Sequence, residues 1–70
     1  MNIVFTEHAK ERIKRRKITE DEIINTIKYP EKLDKNKQKY YAQKNIGRGR
    51  IEVVYEKDKY IKIITVYWVK

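Results

Sequence analysis

The chain has no cysteine and no serine, a single histidine, one proline and two glycines. Without cysteine, neither a disulfide framework nor a thiolate zinc site can staple the fold, so burial or a partner must stabilise it. Without serine, the usual hydroxyl nucleophile is missing, and one histidine cannot form a zinc-binding cluster. Both glycines fall within Asn45-Ile46-Gly47-Arg48-Gly49, so no glycine-rich loop precedes a helix to cradle phosphate. No apolar run approaches the ~20 residues that span a bilayer, and no leader pattern opens the chain. A soluble, cytoplasmic protein with no cofactor, no metal and no membrane partner is expected.

Seventy residues suffice for one domain, 1–70, with a thin core, and are too few for two. What the chain has in excess is positive charge, +8 in total, and it is unevenly placed. Residues 1–18 carry +4, residues 19–34 carry −3, residues 35–50 carry +6 with no acidic residue, and residues 51–70 carry +1. Two basic blocks around an acidic one favour a polyanion as partner, nucleic acid above all. The competing reading is an ordinary solvated basic surface.

The stretch from Phe5 to Ile18 reads as a helix with Thr6 as N-cap and Glu7 complementing the helix dipole. Helical spacing puts His8, Arg12 and Arg16 at i, i+4 and i+8, overlapping the apolar side of Phe5, Ala9 and Ile13. Lys10, Lys14, Lys17, Glu7 and Glu11 fall on the solvated side. A second helix starts at Thr19, where Thr19 and Glu22 form a capping box and Ile18 and Ile23 a hydrophobic staple. Ile23, Ile24 and Ile27 make its apolar stripe, and Tyr29-Pro30 ends it. Glu20, Asp21 and Glu22 are accounted for as first-turn charges.

From Pro30 onward the period becomes alternating. A short edge strand is expected near Leu33, a strand through Tyr40, Tyr41 and Ala42, a turn at 45–49, a strand over 50–56 and a long final strand over 60–69. Ile3 to Phe5 is either an edge strand or a plug beneath the first helix. In the final strand, unbroken alternation puts Ile61, Ile63, Thr65, Tyr67 and Val69 on one face and Ile64, Val66 and Trp68 on the other. The fold expected is α+β, two N-terminal helices packed on a three- to four-stranded antiparallel sheet, with the other sheet face left for a site or a homodimer.

The chemistry that remains pairs one imidazole with guanidinium groups. Arg12 and Arg16 could hold a phosphodiester bidentately, and His8 could exchange a proton with a ribose 2′-hydroxyl or a leaving 5′-oxygen. Lys35, Lys37, Lys39, Tyr41, Lys44, Arg48 and Arg50 could grip the nucleic acid, and Tyr40, Tyr41, Tyr55 and Tyr67 could stack on bases or position hydroxyls. Each has a plainer reading. His8 could bond the neighbouring backbone, Arg16 could lie along the core edge beside Phe5 with its head on a carbonyl or an acid, and the lysines of 35–39 could guard a sheet edge. Trp68 and Tyr67 are more often core or interface residues than a nucleotide platform.

The opening FTEHAKERIKRRKITEDEI, the helix-ending Tyr29-Pro30 and the final IITVY over 63–67 resemble the domain-of-unknown-function family 4258 over nearly the whole chain. The resemblance implies kinship with RelE-like and BrnT-like ribonuclease toxins, hence a RelE-like fold, with His8, Arg12, Arg16, Thr65 and Tyr67 as the family's characteristic positions. One departure is Lys17, where many relatives have glycine. The function implied is a metal-independent endoribonuclease, with catalytic His8, Arg12, Arg16 and an auxiliary Tyr67, acting on RNA or the ribosome and paired with an acidic antitoxin. The alternatives are a non-catalytic basic nucleic-acid-binding module and a small protein-interaction domain whose exposed sheet face includes Trp68.

Overall fold

Thr6 stops the first extended segment and starts the first helix. In the computed structural model, which describes residues 2–70, β1 (Ile3–Phe5) leads directly into α1 (Glu7–Arg16). The Thr6 Oγ1 accepts from the Ala9 N–H at 3.1 Å and donates to the Ile63 carbonyl at 3.0 Å, so one hydroxyl caps the helix and ties it to the last strand. A cap of this kind is worth about 1 kcal/mol. Ala9 is fully buried, and Phe5 and Ile13 pack against the core beside it.

Lys17 ends α1 in the left-handed region, at φ 56° and ψ 45°. Its N–H returns to the Lys14 carbonyl at 3.3 Å and the Ile18 N–H to the Ile13 carbonyl at 3.1 Å, which closes a Schellman motif. Glycine is the residue that takes this backbone without strain, and a Cβ there costs roughly 1 to 2 kcal/mol. The turn therefore keeps its geometry with lysine, at some expense in stability.

Next comes α2 (Glu20–Lys28), with the expected capping box: Thr19 Oγ1 accepts from the Glu22 N–H at 3.1 Å and Glu22 Oε1 from the Thr19 N–H at 3.0 Å. Ile23 and Ile27 are buried, whereas Ile24 is only half-buried and Thr26 takes the third inward place. Burying Thr26 is inexpensive because its hydroxyl donates to the Glu22 carbonyl at 2.8 Å. The helix ends at Tyr29, ahead of Pro30.

The strands are β2 (Lys32–Asn36), β3 (Lys39–Asn45), β4 (Arg50–Lys57) and β5 (Ile61–Val69), in the sheet order β1-β5-β4-β3-β2. The α+β class with two helices is as expected, but the sheet has five strands and is mixed. β2 through β5 form antiparallel pairs, while β1 lies parallel to β5. Three residues are too few to show alternation, and parallel pairing of the first strand with the last is invisible to local pattern. No helix is long and apolar enough to cross a membrane.

Both helices sit on one face of the sheet. Fully buried Ile23 meets Ile51, Val53, Ile63 and Val66 in one cluster with Ala9, Ala42 and Ile18. The opposite face has no helix.

The pairing of β4 with β5 contains an irregularity that corrects the expected faces. Val54 pairs with Thr65, but the next residue, Tyr55, pairs with Ile63, so Ile64 is an extra residue in β5. Ile63 and Val66 therefore both point to the helices, and Trp68 follows them to that side. Tyr67, paired with Glu52, belongs to the open face.

Replacing Lys17 by Gly is expected to stabilise the protein by about 1 kcal/mol, because it removes left-handed strain while keeping both turn hydrogen bonds. Urea denaturation of Lys17→Gly and Lys17→Ala checks this: the first should shift to a higher midpoint and the second should not.

Candidate functional site

The three residues of the α1 row share a helix side but differ in environment. His8 is exposed, and Arg12 and Arg16 are half-buried. Arg12 Nε donates to His8 Nε2 at 3.4 Å, a long bond one helical turn apart that leaves the imidazole acting as acceptor. Arg16 does something different. Its Nη1 donates to the Val66 carbonyl at 2.6 Å, fifty residues away on β5, and its own carbonyl accepts from the Trp68 indole N–H at 3.0 Å. The guanidinium thus braces α1 along the last strand.

Tyr67 lies apart from this row, on the far face of the sheet. Its hydroxyl donates to Glu52, whose other oxygen accepts from Gln43 Nε2 at 2.7 Å. Gln43 Oε1 in turn accepts from Arg50 Nε at 3.1 Å, and Arg50 Nη1 pairs with Glu31 at 2.8 Å. One hydrogen-bonded chain therefore crosses β5, β4 and β3. Burial, the bond to Glu52 and the Glu52 charge push the Tyr67 hydroxyl up to about 12, which keeps it a donor. Glu52 and Gln43 were not singled out from sequence, although alternation along β4 does put Glu52 on the face away from Ile51 and Val53.

The basic residues expected to grip nucleic acid are also divided. Arg48 makes a bidentate pair with Glu22, with Nη2 to Oε1 at 2.7 Å and Nε to Oε2 at 3.1 Å, and Nη2 also meets the Lys17 carbonyl at 2.7 Å. Its guanidinium lies 5.1 Å from the centre of the Trp68 ring. Gly49 also lies against this ring, and a Cβ there would come within 2.8 Å of the indole. The loop between β3 and β4 is therefore fastened to both helix ends, and Trp68 is a packing residue of the helix side. It is not part of an exposed sheet face.

Lys44 donates to the Tyr29 carbonyl at 2.8 Å, and Arg50 is held by Gln43 and Glu31. Lys35 stands 5.3 Å above the Tyr40 ring on the edge strand β2. Tyr40 itself stacks on Tyr55 at 5.2 Å between centroids and 9° between planes, so these two rings serve each other. Burial raises the Tyr55 hydroxyl above its ordinary value, with Tyr40 adding to the effect. Lys37, at φ 59°, makes the β2–β3 turn with its side chain exposed. Together with Asn36, Gln38, Lys39, Tyr41 and Glu56 it lines a shallow depression of about 440 Å³.

One face of a mixed sheet covered by two helices, with a His–Arg pair on the first helix and a Tyr–Glu–Gln–Arg chain on the bare face, defines a small two-layer α+β domain. The chain belongs to the family described as Domain of unknown function (DUF4258), whose model matches residues 5–68. No curated protein and no solved structure matches it.

The bidentate bond from Arg48, followed by the Thr19 backbone N–H, holds the Glu22 carboxyl below its ordinary value of 4.5. A carboxyl depressed in the folded state adds stability that is complete above the unfolded value and is lost as pH falls through the folded one. Thermal melting should therefore be flat above pH ~5 and fall below pH ~4.5. Glu31 contributes in the same sense through the Asn45 N–H and Arg50. In Glu22→Gln, which keeps the capping amide but not the charge, Tm should start lower and show a shallower acid decline.

Proposed function

We propose that this domain binds RNA through its helix-covered side and cleaves it without a metal ion, with His8 as proton acceptor and Arg12 as phosphate ligand. The observation that carries this reading is the His8–Arg12 contact: an imidazole Nε2 already placed as acceptor, one turn from a guanidinium whose terminal nitrogens have no protein partner among the described residues. In the step envisaged, His8 Nε2 takes the proton of a ribose 2′-hydroxyl. The 2′-oxygen then bonds to phosphorus, the bond to the 5′-oxygen breaks, and water returns a proton to that leaving oxygen. The products are a 2′,3′-cyclic phosphate and a free 5′-hydroxyl. Arg12 offsets the negative charge that builds on the phosphate oxygens.

Basic side chains extend the surface on which a polyanion could lie. Lys14, Arg15 and Lys17 are exposed at the end of α1, and Lys35 and Lys37 at the edge of the sheet. Arg16 serves as a positioning residue, holding α1 on β5 so that His8 and Arg12 keep their place. The kinship with RelE-like and BrnT-like toxins that the family resemblance implies is in keeping with this reading and adds two proposals, a RelE-like fold and neutralisation by an acidic antitoxin. Ribosomal RNA access and a cytoplasmic setting belong with them.

A non-catalytic nucleic-acid-binding module is the second reading. It is favoured by the separation of Tyr67 from His8 and by the engagement of Arg16 with Val66, which leave two residues where four were expected.

Incubation with labelled RNA, with and without chelator, tests the proposal. Cleavage with cyclic-phosphate ends should persist in chelator and fall by roughly 100-fold or more in His8→Ala. Because His8 is exposed, the Tm of that variant should barely move. Salt-sensitive binding with no cut products would instead establish the second reading.

A further inference from the structure

The bare face of the sheet has a charge pattern unlike the rest of the molecule. Register places the side chains of Lys32, Lys39, Arg50 and Lys62 on it. Asp34, Glu52 and Glu56 share that face, and Glu31 reaches its rim to pair with Arg50. Basic and acidic groups balance there, so the whole excess of +8 lies elsewhere. A polyanion is drawn away from such a face, whereas two copies of a strongly basic chain can meet through it without setting like charge against like.

The centre of the face is apolar. Val54 is only 6% exposed although it belongs to no part of the helix-side core. Its cross-strand neighbours are Tyr41 and Thr65, both half-buried. Next to this centre runs a row in which Glu56 lies between Lys39 on β3 and Lys62 on β5. Among the described residues none of these three is in an ion pair. A two-fold axis lying between the two sheets and parallel to the strands, midway between β4 and β5, brings the glutamate of one copy toward a lysine of the other.

Four strands ~4.8 Å apart and about seven residues long present a face of roughly 19 by 23 Å. Two such faces packed together remove on the order of 1,000 Å² from water, the threshold of a specific interface. Aligned sheet-on-sheet packing supplies the geometry.

We propose that the bare sheet face docks a second copy of this chain in a two-fold dimer, with Val54 and Thr65 at its centre and the Lys39–Glu56–Lys62 row joining the copies. Both α1 helices then face outward, so the dimer presents two separate basic surfaces.

Sedimentation velocity on the full chain, at several concentrations and two salt levels, tests this. The wild type should sediment at twice the 8.6 kDa chain mass and dissociate on dilution. Thr65→Lys puts like charges together near the axis and should weaken association at least tenfold with unchanged circular dichroism. Glu56→Lys, which alters a partly exposed side chain and spares the centre, serves if Thr65→Lys unfolds. Mixing Glu56→Lys with the Lys39→Glu/Lys62→Glu variant should restore a dimer that neither forms alone. A wild type that stays monomeric at roughly 1 mM, or a dimer indifferent to all these substitutions, would overturn the proposal.

Discussion

The fold depends on how α1 is fastened to β5. Hydrogen bonds from three residues join them: the Thr6 hydroxyl and N–H to Ile63, the Arg16 guanidinium to Val66, and the Trp68 indole to the Arg16 carbonyl. Two of the three use side chains that are large and half-buried, so the bonds act in a partly dry environment where they count for more than at the surface. This bracket fixes the roll of α1. It turns Ala9 and Ile13 into the core and leaves His8 and Arg12 at the rim.

From that arrangement follows a division of labour among the basic residues. Arg16, Lys44, Arg48 and Arg50 spend their hydrogen bonds inside the molecule, on carbonyls and carboxylates. A chain of 70 residues without disulfides gains from such cross-links between elements, because its apolar core is thin. The basic residues that remain available lie mainly along the outside of α1 and at the turns, while the bare sheet face is neutral. Two faces of different electrostatic character result, one basic and the other neutral.

Local chemistry was legible in the sequence wherever a few neighbouring residues decide the outcome. The capping box at Thr19 and Glu22, the stop at Tyr29-Pro30, the glycine turn at 45–49 and the alternation of Ile51 and Val53 all stand in the structure. What could not be read depends on distant partners. The parallel pairing of β1 joins residues nearly sixty apart, and the extra residue Ile64 reverses the faces of Tyr67 and Trp68 relative to strict alternation. The spacing of His8, Arg12 and Arg16 was visible, yet only the fold shows that Arg16 answers to Val66. Arg48 likewise looks like one more cation of a basic block until Glu22 and Trp68 are seen around it.

The most direct measurement of the central claim is the unfolding free energy of Arg16→Met, which keeps the packed stem and removes the guanidinium. If the bracket holds α1 in place, the loss of a charge-assisted bond to Val66 should cost about 1.5 to 3 kcal/mol, with the carbonyl left unpartnered beneath the helix. A variant as stable as the parent would contradict the account, because Arg16 would then be free of any structural duty.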